Sequence, residues 1–500
     1  MHDFTAPWIG HHTAWGGAMY GNIARNFLVY GYSATAFGPV ANFGLVDPAS
    51  FDYYYHYPPL LVWLVSLSFH LFGVSEWSAR LVPLLFSLIA VPLTFDLGRR
   101  LTGDSRVAIL AALLMAAMPA GAYYGTHVDV YGAPAVTLTL LAFWGYVRWI
   151  QLRSRGALFL MCAGLVLGCM TAWYTYFAAL LLLVHNLWLE DAANRFTRAI
   201  VAIVAAIPIL VFGLFLAHRW SLDVGAHNEM FGTLWQKLVA RTSYGGLGKP
   251  LWSVWAQHVR DTSSLYTPLT LVLCGAWLIR TLVTSRNWRP DGASGLLIAL
   301  LGYGVLHNLS FPGLLPGHDF MPIAYAPGVA ITSAITLFAA GDWIAIKSSR
   351  RTAEVLAITG GVVLVVVALV FTWKAGQIDN IATGARVKSM GESIQMSSSE
   401  KQEVVVPVAM DQVLQYYARR EMLFGVSEPA ALAALPKPKA VQGRIFAAAP
   451  QWLDERATLR LYLDEHYPRL TQLPLVTYDL SRVANASTTA DMALPGVRHD

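Results

Sequence analysis

Residues 58–72 read PPLLVWLVSLSFHLF, and residues 79–98 read ARLVPLLFSLIAVPLTFDLG. How these two neighbours are read decides the fold. A transmembrane helix needs about 20 mostly apolar residues. The second run has that length. The first has 15 residues, opens on two prolines and carries His70. It therefore reads as a helix lying in, or dipping into, the membrane interface, and 79–98 as the first crossing in this chain. Nine further runs qualify as spans: about 106–121, 132–150, 156–172, 174–189, 198–217, 265–284, 294–311, 320–341 and 354–373.

Basic residues test that reading. With 58–72 not crossing, the loops after the first, third, fifth, seventh and ninth spans share one side. They hold Arg99, Arg100, Arg106, Arg148, Arg153, Arg155, Arg195, Arg198, Arg280, Arg286, Arg289, Lys347, Arg350 and Arg351. The short loops opposite, near 122–131, 173 and 312–319, hold none. The positive-inside rule makes the basic side cytoplasmic. The N-terminal segment, the long loop 218–263 and the tail after Lys374 then face outward. Met1–Gly10 lacks the basic and apolar regions of a signal peptide, so the outward N-terminus leads us to expect a further span upstream.

Composition agrees. Of 500 residues, 56% are apolar and 13% charged, with mean hydropathy +0.48, against about 25% charged in soluble domains. The 17 Trp and 22 Tyr suit membrane interfaces. A net charge of +5 concentrated in short loops orients a membrane protein and implies no nucleic-acid partner. Cys162, Cys169 and Cys274 lie inside apolar runs and form neither a disulfide framework nor a metal cluster. After Lys374 the pattern turns soluble: a polar linker at 395–405, a strand-like VVVPV, a helical MDQVLQYYARRE, then GRIFAAAP, ATLRLYLDEHY and LPLVTYDL. Alternating strand and helix patterns indicate a small α/β domain. The expected architecture is an all-α polytopic membrane protein with a small C-terminal α/β extracytoplasmic domain. Its parts are an external first loop with juxtamembrane helices over 1–78, a transmembrane domain over 79–373 and the soluble domain over 374–500.

The sides make the histidines informative. All but His70 and His185 of the 14 fall outward or at outward helix ends, and ionisable groups at membrane depth are costly and mark function. Three clusters stand out. Asp129 lies in a short loop with His127 and no basic neighbour, where it would serve either a site or the N-cap of the span beginning near Gly132. Asp52-Tyr-Tyr-Tyr-His56-Tyr57 leads into the interfacial helix, and Pro316-Gly-His318-Asp319 ends a loop. No G-x-x-x-x-G-K-[ST], H-E-x-x-H or G-x-S-x-G occurs, which disfavours an ATP-driven pump or a metalloprotease.

Several motifs together resemble a known family. They are Ala18-Met-Tyr20-Gly-Asn-Ile23-Ala24-Arg25-Asn26 with Tyr30-Gly31, Tyr57-Pro58-Pro59-Leu60, Phe72-Gly73-Val-Ser-Glu76-Trp-Ser-Ala79-Arg80-Leu81 and Gly98-Arg99-Arg100. The chain is similar here to dolichyl-phosphate-mannose protein mannosyltransferases and bacterial lipid A aminoarabinose transferases, membrane glycosyltransferases of the GT-C fold, family 39-like. The resemblance implies transfer of a sugar from a polyprenyl-phosphate donor to a lipid, glycan or protein acceptor on the outer face of the inner (plasma) membrane. Family members begin with a span and end in a variable external region.

Carried over by position, Asp129 matches an acid in the family's second external loop. The family's first-loop Asp, seven or eight residues before the Ile of the I-A-R motif, is replaced here by Trp15 and Gly16. A Glu-Lys found before the Pro-Pro pair in some relatives is His56-Tyr57. The base role then falls to Asp129 with Asp3 or His12, while His11, Asp52 and His56 are further candidates. Arg25, His56, Tyr57, Asp52, His127, His318 and Asp319 are expected to bind substrate. The phosphate leaving group calls for a cation, from Arg25, His227, Lys237 or Arg241, or from a divalent ion. Two rivals share the span count: a secondary transporter, for which no hydropathy repeat is found, and an O-antigen ligase or polymerase-like protein, which would not account for the first-loop motifs.

Overall fold

The structure is a computed structural model describing residues 4–8, 12–189, 195–222, 235–236, 238–242, 250–285, 292–377, 381–435, 443–471 and 475–482. The chain forms two compact units. One comprises residues 1–28, 36–39 and 54–380, the other 29–35, 40–53 and 381–500.

The first unit is helical. It opens with α1 (His12–Tyr30) and the 13-residue α2 (Leu60–Phe72). At about 1.5 Å per residue, α2 reaches roughly 20 Å, short of the ~30 Å hydrocarbon thickness. The long α3 (Glu76–Thr102) starts at a capping box between Ser75 and Ser78 and stops at Gly103, whose φ of +69° a side chain would resist. Its Pro83 and Pro92 are tolerated as they commonly are in membrane helices. There follow α4 (Ser105–Ala117), α5 (Pro119–Ala122), α6 (Ala133–Leu152), α7 (Arg155–Cys169), α8 (Tyr174–Trp188) and α9 (Arg198–Leu222). Beyond them come helices Leu251–Tyr266, Pro268–Thr284, Gly292–Ser310, Ala326–Lys347 and Arg350–Gln377.

All ten apolar runs of the sequence are helical, but not all are single straight spans. Among the described residues six helical segments are long and apolar enough to cross a membrane, or up to eight if each of two bent pairs is one span. The α4 segment bends by 60° at Pro119, and Leu251–Tyr266 meets Pro268–Thr284 at 106°. The sharper bend turns on Thr267, a β-branched residue at φ +65° whose hydroxyl caps the next helix at Thr270 N. Helices α7 and α8 are apolar with 15 residues each, below the usual spanning length.

The second unit carries a five-stranded sheet in the order β2-β1-β3-β5-β4. Its strands are β1 (Glu403–Val405), β2 (Glu421–Leu423), β3 (Arg444–Ala448), β4 (Arg469–Thr471) and β5 (Val476–Asp479). The first three are parallel; β5 runs antiparallel to both β3 and β4. Alternate residues feed two cores: Val405, Phe446 and Tyr478 meet Leu453, Leu459 and Leu463 on one face, while Val404 and Ile445 meet Ile394 and Leu414 on the other. Buried Glu403 and Arg444 form an ion pair across β1 and β3. The stretch Val40–Tyr53 belongs to this unit through Glu421, whose carboxylate accepts from Phe43 N (2.7 Å) and Gly44 N (3.2 Å).

Candidate functional site

The loop between α5 and α6 builds the centre of the site. Asp129 is 6% exposed. Its Oδ1 accepts from Tyr131 N at 2.8 Å, and its carbonyl accepts from Gly132 N at 3.1 Å, so the carboxylate closes its own turn. Helix α6 takes Gly132 as N-cap with no side-chain bond, so Asp129 is not the cap of that span. Its Oδ2 has no hydrogen-bond partner among the described residues. That oxygen points toward Gly16 on α1, where a methyl would lie 3.3 Å from it and 3.0 Å from Val128 O. Burial, with Asp319 adding repulsion and the Tyr131 hydrogen bond opposing, pushes the Asp129 carboxyl up to about 7.

Asp129 opens on a cavity of about 270 Å³. Trp15 and Tyr20 of α1 line it, with Tyr54, His56 and Tyr57 from the approach to α2, Tyr131 beside Asp129, and Arg241, His318 and Phe320. The aromatic rings meet edge-on or tilted: Trp15 with Tyr20 at 6.4 Å, Tyr20 with Tyr54 at 6.1 Å, Tyr57 with Tyr131 at 5.3 Å. Arg241 lies over the Tyr57 ring at 5.4 Å. Burial pushes the Tyr57 phenol up to about 12 and lowers His318.

A second, larger cavity of about 860 Å³ adjoins it. Its walls are apolar: Trp173, Tyr176 and Phe177 of α8 or its approach, Ile209, Phe212 and Phe215 of α9, and Phe311. His56, Arg241 and Leu314 line both cavities, so an imidazole and a guanidinium stand where an apolar groove meets a polar pocket.

Of the residues expected from the sequence, His56, Tyr57, Asp129 and His318 share one cavity, and Arg241 is the cation that joins them. Asp319 accepts from Tyr124 Oη at 2.7 Å and lies outside the lining. His127 packs between Tyr123 and Tyr124 at 4.6 and 5.2 Å, and burial together with Arg80 lowers it to about 3. Arg25 is buried on α1, bonded to Asn22, and lines neither cavity. Asp52 belongs to the second unit, where its N–H donates to Asn42 Oδ1 at 2.7 Å. Asp3, His11, His227, Lys237 and the side chain of His12 lie outside the described residues. Of the aromatic lining, the sequence pointed to Tyr57 as a binding residue but not to the rest. Tyr20, Tyr54 and Tyr57 stood in quoted stretches, and nothing local marks Trp15, Tyr20, Tyr54 and Tyr131 as neighbours. Among the described residues no three of His, Cys, Asp or Glu converge as a metal site needs.

Comparisons with known proteins agree with this architecture. Residues 56–216 match the family described as dolichyl-phosphate-mannose-protein mannosyltransferase. ArnT from Cupriavidus metallidurans bound to undecaprenyl phosphate has a similar fold, at TM-score 0.60 and 14% identity over 95% of this chain and 94% of that one. So does the archaeal oligosaccharyltransferase AglB from Archaeoglobus fulgidus, in complex with an inhibitory peptide and a dolichol-phosphate, at TM-score 0.54 and 10% identity over 93% and 69%. An uncharacterized protein of Aquifex aeolicus (strain VF5) is 28% identical over 109 residues, 22% of this chain; the chain spans only about a fifth, 21%, of that relative. The chain is therefore a multi-pass membrane protein with an ArnT-like fold, whose residues 56–216 resemble the mannosyltransferase family.

Proposed function

We propose that the chain moves a sugar from a polyprenyl-phosphate donor to an acceptor hydroxyl on the extracytoplasmic face. The observation that carries this reading is the junction of the two cavities at Arg241 and His56. A polyprenyl tail suits the apolar groove, where burying each CH₂ is worth about 0.8 kcal/mol. The phosphate falls at the junction, and the sugar in the polar pocket beside Asp129. A lipid, a glycan and a protein all meet the acceptor's requirement by the same chemistry: each offers a hydroxyl.

In the reaction the acceptor oxygen bonds to the anomeric carbon while the bond from that carbon to the phosphate oxygen breaks. The electron pair leaves with the phosphate, whose growing charge Arg241 neutralises. The acceptor proton passes to Asp129 Oδ2, the carboxylate oxygen without a partner among the described residues. A base of this kind contributes about 10²–10⁴-fold. The position of Arg241 gives the first test. Arg241→Gln should weaken binding of sugar-free polyprenyl phosphate by roughly tenfold or more, since charge-assisted bonds are worth about 1.5–3 kcal/mol. Binding measured by quenching of the groove tryptophans that is the same in the variant and the unmodified chain would remove the phosphate from this junction.

A further inference from the structure

The pocket residue Tyr131 is tied to a chain of buried polar groups that the reaction above does not use. Its hydroxyl lies 3.2 Å from His307 Nε2, and His307 Nδ1 lies 3.0 Å from Asn308 Oδ1. Asn308 Nδ2 donates to Tyr325 Oη at 2.7 Å, and Tyr325 Oη lies 3.2 Å from His258 Nε2. His307 and Asn308 are 1% and 2% exposed, inside the apolar helix Gly292–Ser310. Polar side chains at such a depth are costly to keep and mark function.

The bonding fixes a direction. Asn308 spends its amide on Tyr325, so its carbonyl faces His307, whose Nδ1 must carry the hydrogen. A neutral imidazole hydrogenated at Nδ1 has a bare Nε2, which can only accept. The Tyr131 hydroxyl therefore donates its one proton to His307. Tyr174 Oη holds the Tyr131 carbonyl at 3.2 Å and keeps the ring in place. With its phenol proton turned inward, Tyr131 offers the pocket oxygen lone pairs alone, beside the Asp129 carboxyl, which once ionised can only accept.

We propose that His307 and Asn308 are positioning residues that make this wall of the pocket an acceptor surface, selecting a sugar that presents hydroxyl or amino donors. The inference deepens the transferase reading and rests on it. It assigns the histidine a part in sugar recognition and none in holding the lipid, because Tyr131 lines the small pocket and not the apolar groove.

The test compares His307→Phe, Tyr131→Phe and the double variant, using polyprenyl phosphate with and without its sugar as probes. Each single variant should raise KM for the sugar-bearing donor roughly tenfold, the size of one to two hydrogen-bond contributions. Affinity for the sugar-free lipid should stay unchanged. The double variant should be no worse than either single one, since both break the same link. His307→Gln, which keeps an acceptor near Tyr131, should recover most of the KM. Equal weakening toward both lipids, or additive losses in the double variant, would overturn the inference by leaving His307 a packing residue. No transfer by the unmodified chain would overturn the transferase reading and this inference with it, whereas transfer with KM unchanged in His307→Phe would overturn this inference alone. Should His307→Phe fail to fold, Tyr131→Phe, which deletes a single oxygen, carries the same comparison of the two lipids.

Discussion

Asp129 combines three properties that a general base needs: a buried position, one carboxylate oxygen fixed by its own turn, and the other facing a cavity. Burial holds its proton on up to about pH 7, a displacement from the ordinary carboxyl worth about 4 kcal/mol. The sign has two consequences. As the proposed base, Asp129 is ionised only as pH rises through about 7, so transfer should climb between pH 6 and 8 with its midpoint near 7 and then level off. Because the folded state binds this proton more tightly than the unfolded chain, Asp129 also makes the fold less stable as pH rises from about 4 to about 7. A pH–rate profile for kcat that is flat from pH 5 to 8 would show that another group takes the proton. Asp129 was legible from the sequence as an acid in a short loop without basic neighbours. Its freedom from the α6 cap was not, because the choice between an N-cap and a turn depends on backbone angles at Gly132 that its residue type leaves open.

At the scale of elements, the apolar runs were readable because a lipid environment demands length and hydrophobicity, and both are written locally. The bends were harder. Pro119 and Pro268 each open a new helix, and the residue before a proline is pushed out of the helical region, so Met118 and Thr267 carried a signal that run length alone concealed. Close helix approaches were also written in glycines. Helices α6 and α7 meet through Gly145 and Gly164: a methyl on the first would lie 2.5 Å from Met161 N, and on the second 2.6 Å from Ala142 N. Neither neighbour is a flexible side-chain end that could yield. Gly164→Val should therefore lower thermal stability by several degrees, in line with the roughly 1–3 kcal/mol of overpacking. Gly213→Val, on α9 with nothing within 4 Å, should leave it unchanged. Equal melting temperatures for the two variants in one detergent would mean that α6 and α7 separate without penalty.

Across the whole molecule, helices distant in sequence converge on a pair of cavities that no single segment announces. The pocket takes Trp15 and Tyr20 from α1, Tyr57 from the start of α2, Asp129 before α6, and Arg241 from the long loop after α9. Three loop cations were equal candidates in the sequence; of these Arg241 lies among the described residues, where it sits over Tyr57. The groove walls come largely from α8 and α9, which read from the sequence simply as spans. Such convergence is a property of packing and cannot be read from hydropathy. The central claim is that this pair of cavities holds a lipid-phosphate sugar and passes the sugar on. It is tested most directly by incubating the purified chain in lipid vesicles with a radiolabelled polyprenyl-phosphate sugar and an extract of cell-envelope acceptors. The account predicts that label leaves the polyprenyl lipid for an acceptor, at a rate reduced at least about 10²-fold in Asp129→Asn, while that variant binds the donor normally. Label that remains on the polyprenyl lipid with the unmodified chain, or transfer at full rate by Asp129→Asn, would contradict it.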